Sequence, residues 1–463
     1  MAAGGRAHSG SNDAMTRKLT SAGLALVALA VASPRALANG AFPDEFSVHF
    51  PVPAPHRILL GANFGLIVSE DDGATWRYSC EPWITQGSDA ALSGASVDFY
   101  QTCADGAVLA QSLHVTRSAD VGCTWPQSGG SIAASNVFVR DLFPDPNDAS
   151  FVLAILLDDR SNSLLVASHD GGITFDSAPL YQTTAILSGI EISRSTPSVI
   201  YATRYATNGS NATLLRSTDR GANWTPYAIP LPTPSSGTAP PVPRIMEVDP
   251  QDSGVVYLRL VGGQTDSILI ARSGGQSFDP AFTINGQFAA FLRATDGTLY
   301  AGTQGGVLYT RAAGTASAFT NAPGPHLRCL GQRPGASRIY ACGDFFLDGF
   351  SLGTSDDGGK TFTRVMNFSD ILGPLTCAPV TTNCAAHWAR IQSVLGIGDG
   401  GTGTAADAGA AADAGATTGP GADAGAVSTP PPGGAKKGGC STAAAGGAAL
   451  ICLLALLARR RKS

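Results

Sequence analysis

Ser69-Glu70-Asp71-Asp72-Gly73-Ala74-Thr75-Trp76 is the first copy of an eight-residue box that decides the fold, because it returns down the chain at nearly regular intervals. It recurs as Ser118-Ala119-Asp120-Val121-Gly122-Cys123-Thr124-Trp125, Ser168-His169-Asp170-Gly171-Gly172-Ile173-Thr174-Phe175, Ser217-Thr218-Asp219-Arg220-Gly221-Ala222-Asn223-Trp224 and Ser355-Asp356-Asp357-Gly358-Gly359-Lys360-Thr361-Phe362. Two eroded copies stand before the last: Ala271 to Phe278 keeps Gly275, Ser277 and Phe278, and Ala312 to Phe319 keeps little beyond its aromatic ring. From first position to first position the intervals are 49, 50, 49, 54, 41 and 43 residues, giving seven units.

The chemistry of the box explains how it repeats without being a site. An Asp or Ser side chain accepts from backbone N–H groups a residue or two ahead, and Gly takes the positive φ that closes a tight hairpin. Thr or Ser and then Trp or Phe start the outgoing strand, where the ring is placed to bury its area between neighbouring sheets. Self-similarity at a period of about 40 to 50 residues, with several short strands per unit, is the mark of a propeller or a β-solenoid.

Composition agrees. The chain has 463 residues, with 56 Gly and 29 Pro but only 14% charged residues, which suits a turn-rich all-β body. A net charge of −5 gives no electrostatic case for nucleic acid, and Lys360 is the only Lys between Asn39 and the C-terminal tail.

Both ends read as targeting segments. Arg17 and Lys18 precede the apolar run Ala22 to Ala32, and Ala36-Leu37-Ala38 offers small residues for cleavage before Asn39, so residues 1–38 read as a secretory signal peptide with Met15 the better start. Residues 39–397 form the repeat body. From 398 to 439 the chain turns into Ala, Gly, Asp, Thr and Pro, with Asp-Ala-Gly at 407, 413 and 423, a composition that buries no core and acts as a solvated tether. In 440–463, Ser441 to Ala458 is an apolar stretch at the short limit for a membrane span, followed by Arg459-Arg460-Arg461-Lys462, which places the preceding chain outside. Gly438-Gly439-Cys440, the span and the basic cluster together resemble the C-terminal sorting signal of myxobacterial surface proteins. That resemblance implies that Cys440 is the processed residue, and that the protein is exported to the cell surface or outer membrane of a Gram-negative bacterium.

Within each repeat an inner strand (Val137 to Phe143, Arg244 to Val248) runs to a turn such as Pro144-Asp145-Pro146-Asn147. A second strand follows (Phe151 to Leu157, Val255 to Leu260), a third enters the box, and a fourth leaves from its aromatic. Closing about 28 such strands into a ring hides nearly all strand edges, which favours a ring over an open array. Phe46 to Phe50 is placed to supply an outer strand to the last blade. The boxes resemble Asp-box repeats of bacterial neuraminidase type, and their spacing is similar to that of the seven-bladed propellers of the photosystem assembly factor and sortilin. The resemblance implies an all-β seven-bladed β-propeller over about residues 45 to 370. It also implies that Asp71, Asp120, Asp170, Asp219 and Asp357 sit on the rim as structural residues, away from the ligand face.

Seven Cys lie in the body, and an exported compartment makes disulfides the default. Nearness in sequence favours Cys329 with Cys342 and Cys377 with Cys384; Cys80 is set with Cys123, at the exits of adjacent boxes, leaving Cys103 odd. The body has no Cys-x-x-Cys, so neither zinc nor another cofactor is expected. Gly353 to Thr361 ends in Gly-Lys-Thr, but its leading Gly is one residue too distant for a phosphate loop.

Two patterns point toward ligands. Arg140, Arg244 and Arg328 each stand six residues before Pro146, Pro250 and Pro334 at matching inner-strand places, with Arg293 nearby. Converging at a channel mouth they suit an anionic ligand, a carboxylated sugar or an acidic peptide. Glu191 and Glu247, two of five Glu in the chain, fall at matching points and offer a carboxylate pair for a sialidase-type glycoside hydrolase. The Arg-Ile-Pro of such enzymes is missing; only Arg57-Ile58-Leu59 and Arg244-Ile245-Met246 occur. The reading is a surface-tethered binding module for a protein or carbohydrate, reaching the membrane through its C-terminal segment. The alternatives are the hydrolase and an envelope assembly factor.

Overall fold

A computed structural model of the chain describes residues 45–397, apart from 88–98, 113, 135, 233–239 and 315–317. Over these residues the chain is a seven-bladed β-propeller. Each blade is an antiparallel sheet laid down in sequence order from the axis outward, as in Ile186–Ile192, Ile200–Tyr205, Thr213–Ser217 and Thr225–Ala228 of the fourth. The leader, the tether, Cys440 and the Ser441 to Ala458 stretch lie outside the described residues, among which no helix is long and apolar enough to cross a membrane.

The second strand of a blade is a continuous apolar run, because its sheet is covered on both faces. Val152, Ala154 and Leu156 pack toward Leu109 and Val115 of the second blade. Their alternates Leu153 and Ile155 pack toward Leu187 and Ile190 of the fourth. One strand thus serves two interfaces through its period of two. Outer strands lose this cover: Thr320–Pro323 is exposed along its length.

Several details differ from the sequence reading. Glu45–His49 is the inner strand of the first blade, pairing antiparallel with Ile58–Ala62, and not an outer strand of the last. The last blade is already complete with Cys329–Gln332, Ile339–Cys342, Leu352–Ser355 and Thr363–Met366. Closure comes from the C-terminal side instead. Ile371–Pro374 adds in parallel to the outer edge of Trp76–Cys80, and the 18-residue helix Ala378–Leu395 then packs Val380, Cys384 and Ile391 into the first-blade core. Among the described residues the second blade has three strands, with a bridge between Thr116 and Gln127 at its outer position.

The helix also rewrites the disulfides. Cys329 and Cys342 are direct cross-strand partners and are bridged. Cys377 and Cys384 are not bridged to each other, because seven residues of helix separate them by roughly 10 Å of rise, beyond disulfide reach. Both point instead at the ring, giving Cys80–Cys384 (Cα–Cα 5.5 Å) and Cys123–Cys377 (6.0 Å), so Cys80 and Cys123 are not paired with each other. Cys103 is a buried free thiol.

Candidate functional site

The two ends of the ring differ in chemistry. One end carries the boxes together with the turns between first and second strands, since four of the boxes donate to that turn of their own blade, as Gly171 N–H does to Ser150 O at 2.7 Å and Arg220 N–H to Ser198 O at 3.0 Å. In the box the Asp carboxylate is consumed locally. Asp71 accepts the Thr75 N–H (2.8 Å), the Thr75 hydroxyl (2.7 Å) and the Ser69 hydroxyl (2.8 Å), while Ser69 Oγ accepts the Gly73 N–H. The same set recurs at Asp120, Asp170, Asp219 and Asp357. Bonds from Thr75, Asn223 and Thr361 hold Asp71, Asp219 and Asp357 below the usual carboxylate range.

Along the axis a second set of carboxylates links neighbouring blades. Asp141 of the third accepts Ile190 N–H of the fourth (2.9 Å), Glu191 of the fourth accepts Val248 N–H of the fifth (2.8 Å), and Glu247 of the fifth accepts Arg293 N–H of the sixth (3.3 Å). Glu191 and Glu247 are thus close, and each is bound to the next inner strand. Burial raises Asp141 to about 6 and Glu247 to about 7, and raises Glu191 well above its ordinary value.

The sign of the pH dependence follows. Between about pH 4 and pH 7 the folded protein holds protons that the unfolded chain has released, so these groups make stability fall as pH rises through that window. The expected result is that Glu191→Gln with Glu247→Gln flattens the profile of unfolding free energy between about pH 4.5 and 7.5. Denaturant titrations at several pH values check this. A double variant whose profile runs parallel to the parent would remove the argument.

The opposite end, where inner strands begin, holds a pocket of about 410 Å³ lined by Phe99, Gln111, Arg140, Asp141, Ser188 and Arg244 among others. The four arginines singled out by spacing do not converge. Arg293 is tied into the box end through Asp249 (3.0 Å), Gln251 (3.0 Å) and its own turn, and Arg328 pairs with Asp344 at 3.1 Å. Arg140 and Arg244 do share the pocket, at equivalent positions two blades apart, with Ser188 between them. Neither has a hydrogen bond or ion pair to the described residues, and Arg140 Nε is buried without a partner. Arg259, across the ladder from Arg244, is matched by Asp266, whose carboxylate also accepts Phe288 N–H (3.0 Å). Asp141 is committed to the N–H groups of Leu142 and Ile190. Arg244 keeps solvent-exposed surface, and desolvation first, then the like charge of Arg140, lower its pKa.

Spacing did not reveal three other members of the pocket. Ser188 Oγ donates to Pro243 O at 2.6 Å and ties the fourth blade to the fifth. Gln111 Nε2 donates to Val139 O at 2.8 Å and leaves Oε1 as a buried, unpartnered acceptor. Phe99 supplies an apolar wall. Only Gln111, a polar residue ending an otherwise apolar strand, carried a signal in the sequence.

No family model matches the chain, and no curated protein does. Among solved structures it is similar to YCF48 from Cyanidioschyzon merolae, at 13% identity and a TM-score of 0.42, over 65% of this chain and 92% of that one. It is also similar to an oligogalacturonate lyase from Vibrio parahaemolyticus, at 10% identity and a TM-score of 0.45, over 66% and 89%. A third is a GH74 xyloglucanase from Xanthomonas campestris, at 16% identity and a TM-score of 0.37, over 70% and 52%. These are likenesses of fold and carry nothing about ligand or activity.

Proposed function

We infer that this chain is an exported, surface-tethered binding module that captures an anionic ligand at the end of the ring opposite the boxes. The observation that carries the reading is the Arg140–Arg244 pair. Two guanidiniums face one pocket with no carboxylate hydrogen-bonded or ion-paired to either among the described residues, the nearby Asp141 being bound to backbone N–H groups, whereas Arg259, Arg293 and Arg328 are each matched by an acid. Adjacent like charges in a partly desolvated cleft repel, and a ligand carboxylate that bridges them relieves the repulsion while gaining charge-assisted hydrogen bonds. The unpartnered Gln111 Oε1 adds a requirement. The ligand carries a hydroxyl or amide N–H beside its acid group, as a uronic acid or the last residue of a peptide does. Export is supported by three disulfides together with the leader and the C-terminal signal read from the sequence.

The test is titration with an oligogalacturonate and with a short acidic peptide bearing a free C-terminus. Arg140→Ala and Arg244→Ala are each expected to weaken the bound probe by about tenfold or more, with the parent affinity falling as salt is raised. Unchanged capture of both probes by the two variants would end the proposal.

A further inference from the structure

A cleft of about 890 Å³ lies elsewhere, at the box end between the fifth and sixth blades. It stands where the repeat is most eroded. In intact repeats the box glycine lies against the preceding blade, so that a Cβ on Gly172 would come 3.0 Å from Leu109, and one on Gly359 2.9 Å from Leu308. The sixth repeat has Gly314 and Ala316 in the sequence where the first has Asp71 and Gly73, so it lacks both the carboxylate that closes the hairpin and the glycine that seats it.

The residues that face the cleft are neither an apolar patch nor a charged one. Arg272 donates to both oxygens of Asp279 (3.3 and 2.9 Å), and Arg311 approaches the same carboxylate at 3.7 Å. Deeper, Asp249 accepts from Arg293 Nε (3.0 Å) and from the Tyr257 hydroxyl (2.8 Å). With Asp296, the lining holds three guanidiniums against three carboxylates, so it has no net pull on an ion. Phe282 and Phe319, one from each blade, stack at 4.4 Å with planes 20° apart and form an aromatic wall.

We propose that this cleft binds a neutral oligosaccharide. Paired donors and acceptors in fixed geometry match the neighbouring hydroxyls of a sugar ring, which give and accept at once, and the Phe282–Phe319 wall covers its C–H face. The volume falls in the range of small-molecule sites. The site is separate from the Arg140–Arg244 pocket and does not depend on that reading.

The experiment is calorimetric titration of the full chain with cellohexaose, xylohexaose, maltohexaose and mannohexaose, with a galacturonate hexamer and an acidic peptide as charged probes. At least one neutral hexamer is expected to bind saturably. Arg272→Gln is expected to weaken it about tenfold or more, Phe319→Ala at least as much, and Arg140→Ala not at all. Arg272→Gln, at a half-exposed position, keeps the test valid if Phe319→Ala misfolds. Three results would overturn the proposal: no neutral hexamer binds, binding survives Arg272→Gln unchanged, or a charged probe is the one that Arg272→Gln releases.

Discussion

Replacing Cys80, Cys123, Cys377 and Cys384 together by Ser is expected to lower the free energy of unfolding by about 5 kcal/mol or more, the largest effect anticipated for any change at the chain's closure. The two bridges span 304 and 254 residues, so each ties together positions that an unfolded chain almost never brings near one another. They are not additive. With Cys123–Cys377 in place, Cys80–Cys384 closes only the short remaining segments, and removing either bridge alone is expected to cost about 2–4 kcal/mol. Cys329–Cys342, with a separation of 13 residues across one ladder, is expected to cost about 3 kcal/mol and to leave ring closure untouched. Denaturant midpoints measure the costs, and hydrogen exchange at Ile371–Pro374 shows where they fall. After loss of the latch the helix is still held by Val380 and Ile391 in the core and by the Tyr78 hydroxyl against His387 Nδ1 at 3.2 Å. Protection at that strand should therefore drop while the inner strands keep theirs. Equal costs for the latch and for Cys329–Cys342, or loss of protection spread evenly over all blades, would contradict the assignment of closure to the C-terminal segment.

That closure was the part of the fold least legible beforehand. Blade number and strand order follow from a box that is local: every hydrogen bond of Asp71 reaches no further than four residues, so its sequence alone specifies it. The latch depends on contacts between residues some 300 positions apart, and no periodicity encodes those. Nearness in sequence pointed at Cys377 with Cys384, and the reading failed because the segment is a helix with Pro379 at its start, which holds the two apart. The arginines behaved likewise. Spacing placed Arg140, Arg244 and Arg328 at matching heights, but whether each is free depends on acids from other elements: Asp344 takes up Arg328, while Asp266 is taken up by Arg259, the cross-strand neighbour of Arg244. Erosion of the sixth box was visible as a weakened motif, and its consequence, a cleft, needed the neighbouring blade to be seen.

Trp125→Ala is expected to destabilise the protein by about 3–5 kcal/mol, against about 1–3 kcal/mol for Asp120→Ala in the same box. The contrast separates the two jobs of the motif. Asp120 is exposed, and its bonds to Thr124 and Ser118 stay within the hairpin, where water can replace part of what is lost. Trp125 is 1% exposed and packs among Leu59, Leu66 and Val68 of the first blade. Its Nε1 donates both to Gly122 O (3.0 Å) and across the interface to Ser79 Oγ (3.1 Å). Truncation leaves a cavity between two sheets and a buried Ser79 hydroxyl without its donor, and the cavity cannot collapse because Cys123, two residues away, is bonded to Cys377. Trp224, which is partly exposed, should cost less than Trp125 although its box is chemically intact. Thermal or denaturant unfolding of the three single variants ranks them. Were Asp120→Ala to match Trp125→Ala, the hairpin and not the packing between blades would be setting stability, and the inter-blade aromatic could no longer be what selects Trp or Phe at the last position of every box.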